Sequence, residues 1–340
     1  MSILAKDNDV IISVRDLKTF FYSGNRCNPV INGVSLEVKR GKTLCIVGES
    51  GCGKSVTASC IMQLLPDLAR IEEGSILYKY EDGSEIDIAK LKKRGKEMRS
   101  LRGKDMAMVF QDPMTALNPV YTIGWQLCEM IRAHENISKE QAWARGIEML
   151  KQMGIPQPEK RIKQYPHEFS GGMRQRAMIA MAMLCNPRVL IADEPTTALD
   201  VTCQAQIFEL IENLKEQYGT GILLITHDMG VVCEIADEVA VMYMGYIVES
   251  GPVQKVMKMP AHPYTRALIR SIPILGMGSQ QELLPVRGST PDPYHRPMGC
   301  QFSPRCDHAC ERCNNIPPET ELGGGHIVRC WKAEEVCTIG

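Results

Sequence analysis

Short apolar runs alternate with longer stretches of helical periodicity along most of this chain, the order of an α/β protein. Apolar and polar positions alternate over Val10–Leu17 and Val34–Val38, as in half-buried strands. Leu44, Cys45, Ile46 and Val47 form a continuous apolar run that reads as a buried strand, and a helix to about Leu65 follows, stopped by Pro66. Strands are predicted at Ser75–Tyr80, closed by the turn Glu81-Asp82-Gly83, and at Met106–Phe110. Apolar residues at helical spacing mark Ile123–Ala133 and Lys139–Met153, and a long helix opens after Ser170. A buried strand from Arg188 ends in Asp193-Glu194, and a helix over Gln204–Tyr218 leads to another buried strand at Gly221–Ile225. Glu238–Val241 and Tyr246–Ser250 read as a hairpin joined through Met244-Gly245.

The junction after the first buried strand carries the clearest chemistry. Gly48 to Ser55 fit G-x-x-x-x-G-K-[ST], with a strand before and a helix start after. Gly48, Gly51 and Gly53 allow backbone angles that let successive N–H groups converge on one anion, and the helix N-terminus adds its positive dipole end. Lys54 is placed to reach the β- and γ-phosphates and the Ser55 hydroxyl to bind Mg²⁺. A chance glycine-rich turn would not be expected to have both flanking elements. The motif predicts a nucleoside triphosphate site.

Other candidates lie at strand and helix ends. Ser170-Gly171-Gly172 caps a helix and exposes backbone N–H groups, a second anion site. Asp193 and Glu194 end a buried strand, where α/β sheets place ligands; Asp193 suits Mg²⁺ through water, and Glu194 suits orienting or deprotonating an attacking water. His227 stands at the end of the next buried strand, either as a structural histidine or as a γ-phosphate contact. Phe20, Phe21 and Tyr22 precede the loop, where one aromatic can stack on a purine or all can pack into a core.

Composition limits the partners. The 340 residues are 44% apolar with a net charge of −1, a balance of soluble globular proteins that argues against a mainly electrostatic partner such as nucleic acid. Lys90–Lys104 holds eight basic residues and one Glu; a nucleic-acid or lipid patch competes with the commoner solvated face. No run of 18 apolar residues appears, and Met1–Asp7 lacks a signal-peptide core, so a cytosolic location is expected. Eight of the fourteen cysteines are scattered up to Cys233, as expected of small buried thiols, whereas six fall in the last 41 residues, a clustering that suggests metal.

Taken together, the motifs resemble the ATP-binding subunits of ABC transporters over about residues 10–260. The phosphate loop, Gln111, Ser170-Gly171-Gly172, Asp193-Glu194, Asp200 and His227 occur in the family order; Phe169 and Met173 depart from the commoner L-S-G-G-Q. The resemblance implies a P-loop NTPase α/β fold of ABC type over residues 1–260, with a helical subdomain at about 112–185, and a small cysteine-rich metal-binding extension over 261–340. It implies ATP contacts from Phe21 (or the adjacent Tyr22), from Gly48, Ser50, Gly51, Cys52, Gly53, Lys54, Ser55 and Val56, and from Gln111, Asp193, Asp200 and His227. Ser170, Gly171 and Gly172 would act across a head-to-tail dimer. Ser55, Gln111 and Asp193 would serve Mg²⁺, and Glu194, His227 and Gln111 would serve hydrolysis.

Asp112–Pro119, His262–Leu268 and Gly299–Cys306 are similar to the D-type ATPase of dipeptide and oligopeptide permeases, whose relatives also import nickel chelates. The implied partners are a second ATPase subunit in a heterodimer, two transmembrane permease subunits and an extracytoplasmic substrate-binding protein, with this chain peripheral on the cytoplasmic face of the cell membrane. In that subfamily the positions of Cys300, Cys306, Cys313 and Cys330 resemble [4Fe–4S] ligands, and Cys310-Glu311-Arg312-Cys313 leaves Zn²⁺ open as an alternative. Such a metal would stand in for a missing core in the Pro- and Gly-rich tail. A reading from a different class, a soluble ABC ATPase acting on ribosomes or DNA, is disfavoured by the single nucleotide domain and the absence of sustained heptads.

Overall fold

A computed structural model describes residues 9–24, 26–112, 116–197, 199–272 and 286–338. The N-terminal Met1–Asp7, Asn25, the Pro113-Met114-Thr115 part of the importer-like segment, and Ala198 therefore lie outside the described residues. In chain order the strands are β1 (Val10–Ser23), β2 (Arg26–Lys39), β3 (Thr43–Val47), β4 (Ala69–Lys79), β5 (Glu85–Asp87) and β6 (Met106–Val109). They continue with β7 (Val189–Asp193), β8 (Gly221–Thr226), β9 (Glu238–Tyr243), β10 (Tyr246–Pro252), β11 (Thr320–Glu321) and β12 (Ile327–Val328). The chain divides into two compact units, one built on Leu91–Leu224 with short pieces up to Ile11 and at Val38–Lys42, the other on Ile12–Glu37, Thr43–Lys90 and the chain from Ile225 onward.

In the first unit, β6 pairs in parallel with β7, Met106 opposite Val189 and Val109 opposite Ala192. All five β7 residues are buried, which is why its sequence is a continuous apolar run rather than an alternation. The insertion between these strands is helical. Thr122 caps Ile123–His134 by accepting from Trp125 N, and Ser138 with Gln141 forms a capping box on Lys139–Gln152. Gly124 is small for a packing reason: a Cβ there would lie 2.5 Å from the Trp143 ring.

The second unit holds an antiparallel sheet of order β2-β1-β4-β5 and a run of strands β11-β12-β10-β9-β3. β1 and β4 are longer than the alternating patterns predict, because β1 continues through a register shift between Arg15 and Thr19 to include Phe20, Phe21 and Tyr22. β3 pairs in parallel with β9, which turns back into β10 through Met244 and Gly245 at φ +45° and +86°. Two positive angles are what a two-residue hairpin turn requires.

The C-terminal extension joins this sheet. β12 pairs antiparallel with β10, Glu249 opposite Val328, and β11 pairs with β12. Glu249 is 1% exposed, and its carboxylate accepts from Ala261 N (2.7 Å) and His262 N (2.9 Å), with His326 Nε2 at 2.8 Å. One buried carboxylate thus ties β10, the start of the extension and its last third together.

His262 also caps the helix Pro263–Arg270, its Nδ1 accepting from Tyr264 N at 3.1 Å. Burial pushes its pKa down from 6.5 to about 4, against a smaller upward pull from Glu249. Between those two values the unfolded chain holds more protons than the folded one. The stabilising contribution is therefore complete above pH 6.5 and declines as pH falls towards 4, by up to ~3 kcal/mol. Melting temperature should drop between pH 7 and pH 5, and His262→Asn, which keeps a capping acceptor that does not titrate, should flatten that drop; parallel slopes would remove His262 as its origin.

Candidate nucleotide site

The phosphate loop leaves β3, whose five residues are all buried, and enters the helix Lys54–Ile61. Its path is tightly constrained by β9. A Cβ on Gly48 would meet Met242 O at 2.1 Å, and one on Gly53, at φ +114°, would meet Met242 Cε at 2.7 Å and Ile31 Cδ1 at 2.9 Å. Gly51, at φ +78°, faces open space, so only its backbone angle calls for glycine. Gly245 N donates to Cys52 O at 2.8 Å, so the β9–β10 turn supports the loop directly. The Cys52 thiol is buried, and that burial raises its pKa. Lys54 is buried too, its Nζ donating to Gly48 O (2.7 Å) and Glu49 O (3.1 Å). The ammonium is thereby curled over the loop that it serves. Ser55 is exposed at the first turn of the helix and Val56 is half-buried beside it.

In the first unit, Gln111 and Glu194 meet. Gln111 Nε2 donates to Glu194 Oε2 at 2.9 Å, and Thr197 Oγ1 donates to the same oxygen at 3.0 Å. Glu194 has φ +45°, an angle that L residues avoid, directly after the buried Asp193 that ends β7. Thr197 N and Oγ1 both donate to Glu194 O, at 3.4 and 3.2 Å, which holds that backbone in place. Such strain at a polar residue following a buried strand is a mark of functional sites.

Ser170 Oγ accepts from Met173 N at 3.3 Å as the cap of the helix Gly171–Met183, which begins at Gly171 and Gly172. Asp200 caps Val201–Tyr218 by accepting from Cys203 N at 2.9 Å, and this bond holds its carboxyl below the usual range. In the second unit, His227 is exposed just beyond β8, before Asp228, which caps Met229–Ile235. Phe21 is half-buried opposite Ala69, whereas Tyr22 is tied by its hydroxyl to Glu72 at 2.6 Å, a bond that pushes its pKa up to about 12. The patterning gave no role to Tyr264 and Arg305, which hydrogen-bond Glu49 of the loop, or to Tyr243, whose hydroxyl accepts from Arg305. Tyr264 and Arg305 lie within His262–Leu268 and Gly299–Cys306, the segments similar to the peptide-permease ATPases, and that similarity is the one sequence signal at these positions.

The metal-binding extension predicted from the cysteines is not what the structure contains. Cys300, Cys306, Cys313 and Cys330 border one small cavity of about 10 Å³, room for at most about one water. Among the described residues no group of three or more His, Cys, Asp or Glu is arranged to hold a metal ion. Burial raises the pKa of all four thiols, Cys306 to about 11 and Cys330 to about 12. Cys310 Sγ and Cys313 Sγ lie 3.8 Å apart as free thiols. The residues therefore fit neither a [4Fe–4S] cluster nor the Zn²⁺ alternative. Flanking the Pro- and Gly-rich stretch 285–325, Ala261, Val328 and Ala333 pack together with Leu322, Cys330 and Cys337 against them. The cysteines there act as small apolar residues.

In the second unit, a buried strand, a glycine loop and a helix packed beside β9 make a P-loop nucleotide-binding motif. Comparison with known proteins carries this further. Residues 31–197 match the ABC transporter family, and residues 248–313 match the oligopeptide/dipeptide transporter C-terminal region. The chain is 47% identical over 333 residues to a peptide import ATP-binding protein of Brucella melitensis, covering 96% of this chain and 98% of that one. It is 46% identical over 327 residues to the dipeptide transport ATP-binding protein DppD of Bacillus subtilis, covering 96% and 95%. A solved dimeric ATP-binding cassette in a post-hydrolysis state bound to ADP and Pi is similar in fold, with a TM-score of 0.62 at 25% identity over 72% of this chain and 99% of that one. The chain belongs to the peptide-importer ATP-binding proteins of the ABC transporter family: it is the ATP-binding and hydrolysing subunit of a peptide, dipeptide or oligopeptide importer. The reading as a soluble ATPase of ribosomes or DNA is not favoured. Among the described residues no helix is long and apolar enough to cross a membrane.

Steric constraint ranks the loop glycines. Gly53→Ala should weaken MgATP binding by at least ~10-fold, since it adds a steric clash to backbone strain of about 1–2 kcal/mol. Gly51→Ala, which meets only the strain, should lose less. Isothermal titration of both variants measures this order.

Proposed function

We propose that the chain powers uptake as one half of a head-to-tail pair of nucleotide domains, with a second, different ATPase subunit as its partner. Two transmembrane permease subunits and an extracytoplasmic binding protein complete the importer, and the chain acts at the cytoplasmic face of the membrane. Support comes from likeness over nearly its whole length to named peptide-import subunits and from likeness to a dimeric cassette bound to ADP and Pi. The ATPase domain spans residues 1–260, with a helical subdomain at about 112–185, and 261–340 form the peptide-transporter extension. Peptides are favoured over nickel chelates as cargo by the same relatives.

In this reading the loop from Gly48 to Val56 encloses the phosphates, Lys54 meets the β- and γ-oxygens, and Phe21 stacks on adenine. Ser55, Gln111 and Asp193 are oxygen donors of the kind that a small hard cation takes. Mg²⁺, when bound there, neutralises charge on the phosphates. Glu194 orients and deprotonates the attacking water, and His227 holds the γ-phosphate. Ser170, Gly171 and Gly172 serve the partner subunit's ATP, with Asp200 close to that junction. The observation that carries this reading is the convergence of Gln111 and Thr197 on one oxygen of Glu194, which fixes the carboxylate that must meet the water.

Glu194→Gln should retain ATP binding and lower turnover by at least ~100-fold in the assembled importer; full hydrolysis in that variant would refute the role of Glu194. Hydrolysis per chain by the isolated subunit should fall on dilution, since each site needs a second subunit's signature helix. A rate per chain independent of concentration would show that one chain suffices.

A further inference from the structure

The phosphate loop carries an acid of its own. Glu49 is the first variable residue after Gly48, and an acidic side chain there does nothing to attract a triphosphate. Arg305 of the extension meets it with both prongs of its guanidinium: Nη1 donates to Glu49 Oε2 at 2.6 Å and Nη2 to Oε1 at 2.9 Å. The other guanidinium donors are engaged as well. Nε donates to Arg287 O at 2.8 Å, Nη2 to Gly288 O at 3.2 Å, and Nη1 to the Tyr243 hydroxyl at 3.3 Å. The Arg305 side chain is 4% exposed, against 29% for Glu49. This is a fixed, largely desolvated fork rather than a surface ion pair.

The same residue is gripped through its backbone. Glu49 N donates to the Tyr264 hydroxyl at 2.8 Å, and Glu49 O accepts from Lys54 Nζ at 3.1 Å. Tyr264 belongs to the helix Pro263–Arg270, so two parts of the extension hold one loop residue whose carbonyl in turn holds the phosphate-binding lysine.

We propose that Arg305 is a positioning residue for nucleotide binding: it neutralises and fixes Glu49, so that the phosphate loop accepts ATP only when the extension is docked. The inference rests on reading Gly48–Ser55 as the phosphate loop. Without the guanidinium, a carboxylate would stand uncompensated in a loop built to receive anionic oxygens, and the turn carrying Lys54 would lose its outer anchor. A lysine could supply the charge but not the two parallel bonds.

The experiment titrates MgATP into the full chain and follows thermal melting of the same samples without nucleotide. Arg305→Gln should weaken binding at least ~10-fold, and Arg305→Lys should fall between it and the parent. Glu49→Gln with Arg305→Gln, which removes both charges, should restore affinity to within about threefold of the parent. A purely structural clip would lower the melting temperature in Arg305→Gln and leave affinity unchanged, which would overturn the proposal; so would a folded double variant still weakened ~10-fold. If Arg305→Gln alone does not fold, the double variant and Arg305→Lys decide by the same criteria. Lys54→Ala separates the two levels. Unchanged MgATP affinity there would fault the loop assignment itself, whereas lost affinity beside a normal Arg305→Gln would fault only the role of Arg305.

Discussion

The loop between β3 and its helix is shaped by the lack of space beside β9. Met242 presents its carbonyl to Gly48 and its methyl to Gly53, so the backbone runs where no Cβ fits. That close approach brings Cys52 O within reach of Gly245 N and folds Lys54 back onto Gly48 O and Glu49 O. A loop of this kind is held by its neighbours more than by its own hydrogen bonds. Packing density at β9 therefore becomes a functional quantity, because a shift there moves the amides that face the phosphates.

The extension bears on the same strands from the other end. Glu249 on β10 gathers Ala261 N, His262 N and His326, while Tyr243 at the end of β9 contacts Arg305 and lies 4.7 Å, ring to ring, from Tyr264. Phe302 fits edge-on against Tyr243 at 5.3 Å. Buried polar contacts and aromatic packing hold this segment, with a small apolar cluster around Val328. Cysteines that looked like ligands by count and spacing serve that packing instead.

Legibility in the sequence followed locality. The buried strands β3, β7 and β8 showed as apolar runs, and the phosphate loop showed because its function needs fixed residue types at fixed spacing. Glu194 was legible as an acid at a strand end, yet its φ of +45° and its bonds to Gln111 and Thr197 depend on residues up to 83 positions away. The continuation of β1 through Tyr22 was hidden because a register shift breaks the alternation. Arg305 was illegible for the same kind of reason: an isolated arginine in a Pro-rich tail has no pattern, and its partner lies 256 residues earlier. The cysteine cluster misled because four thiols brought round one cavity of about 10 Å³ are still not arranged as a metal-holding group among the described residues, and neither count nor spacing records that arrangement.

Glu49 clarifies why these two kinds of residue belong together. A phosphate loop needs backbone amides and a lysine, and an acid within it would ordinarily oppose anion binding. Pairing it with a buried arginine turns that liability into a long-range connection, since the acid is neutral in effect only while its partner is in place. Tyr264 and Arg305 reach Glu49 from separate segments of the extension, so displacing either segment alone leaves a polar group of the loop without its partner. The extension is therefore part of the phosphate site in the physical sense that matters: its folding free energy and the loop's affinity for nucleotide are linked quantities, and each must change when the other does.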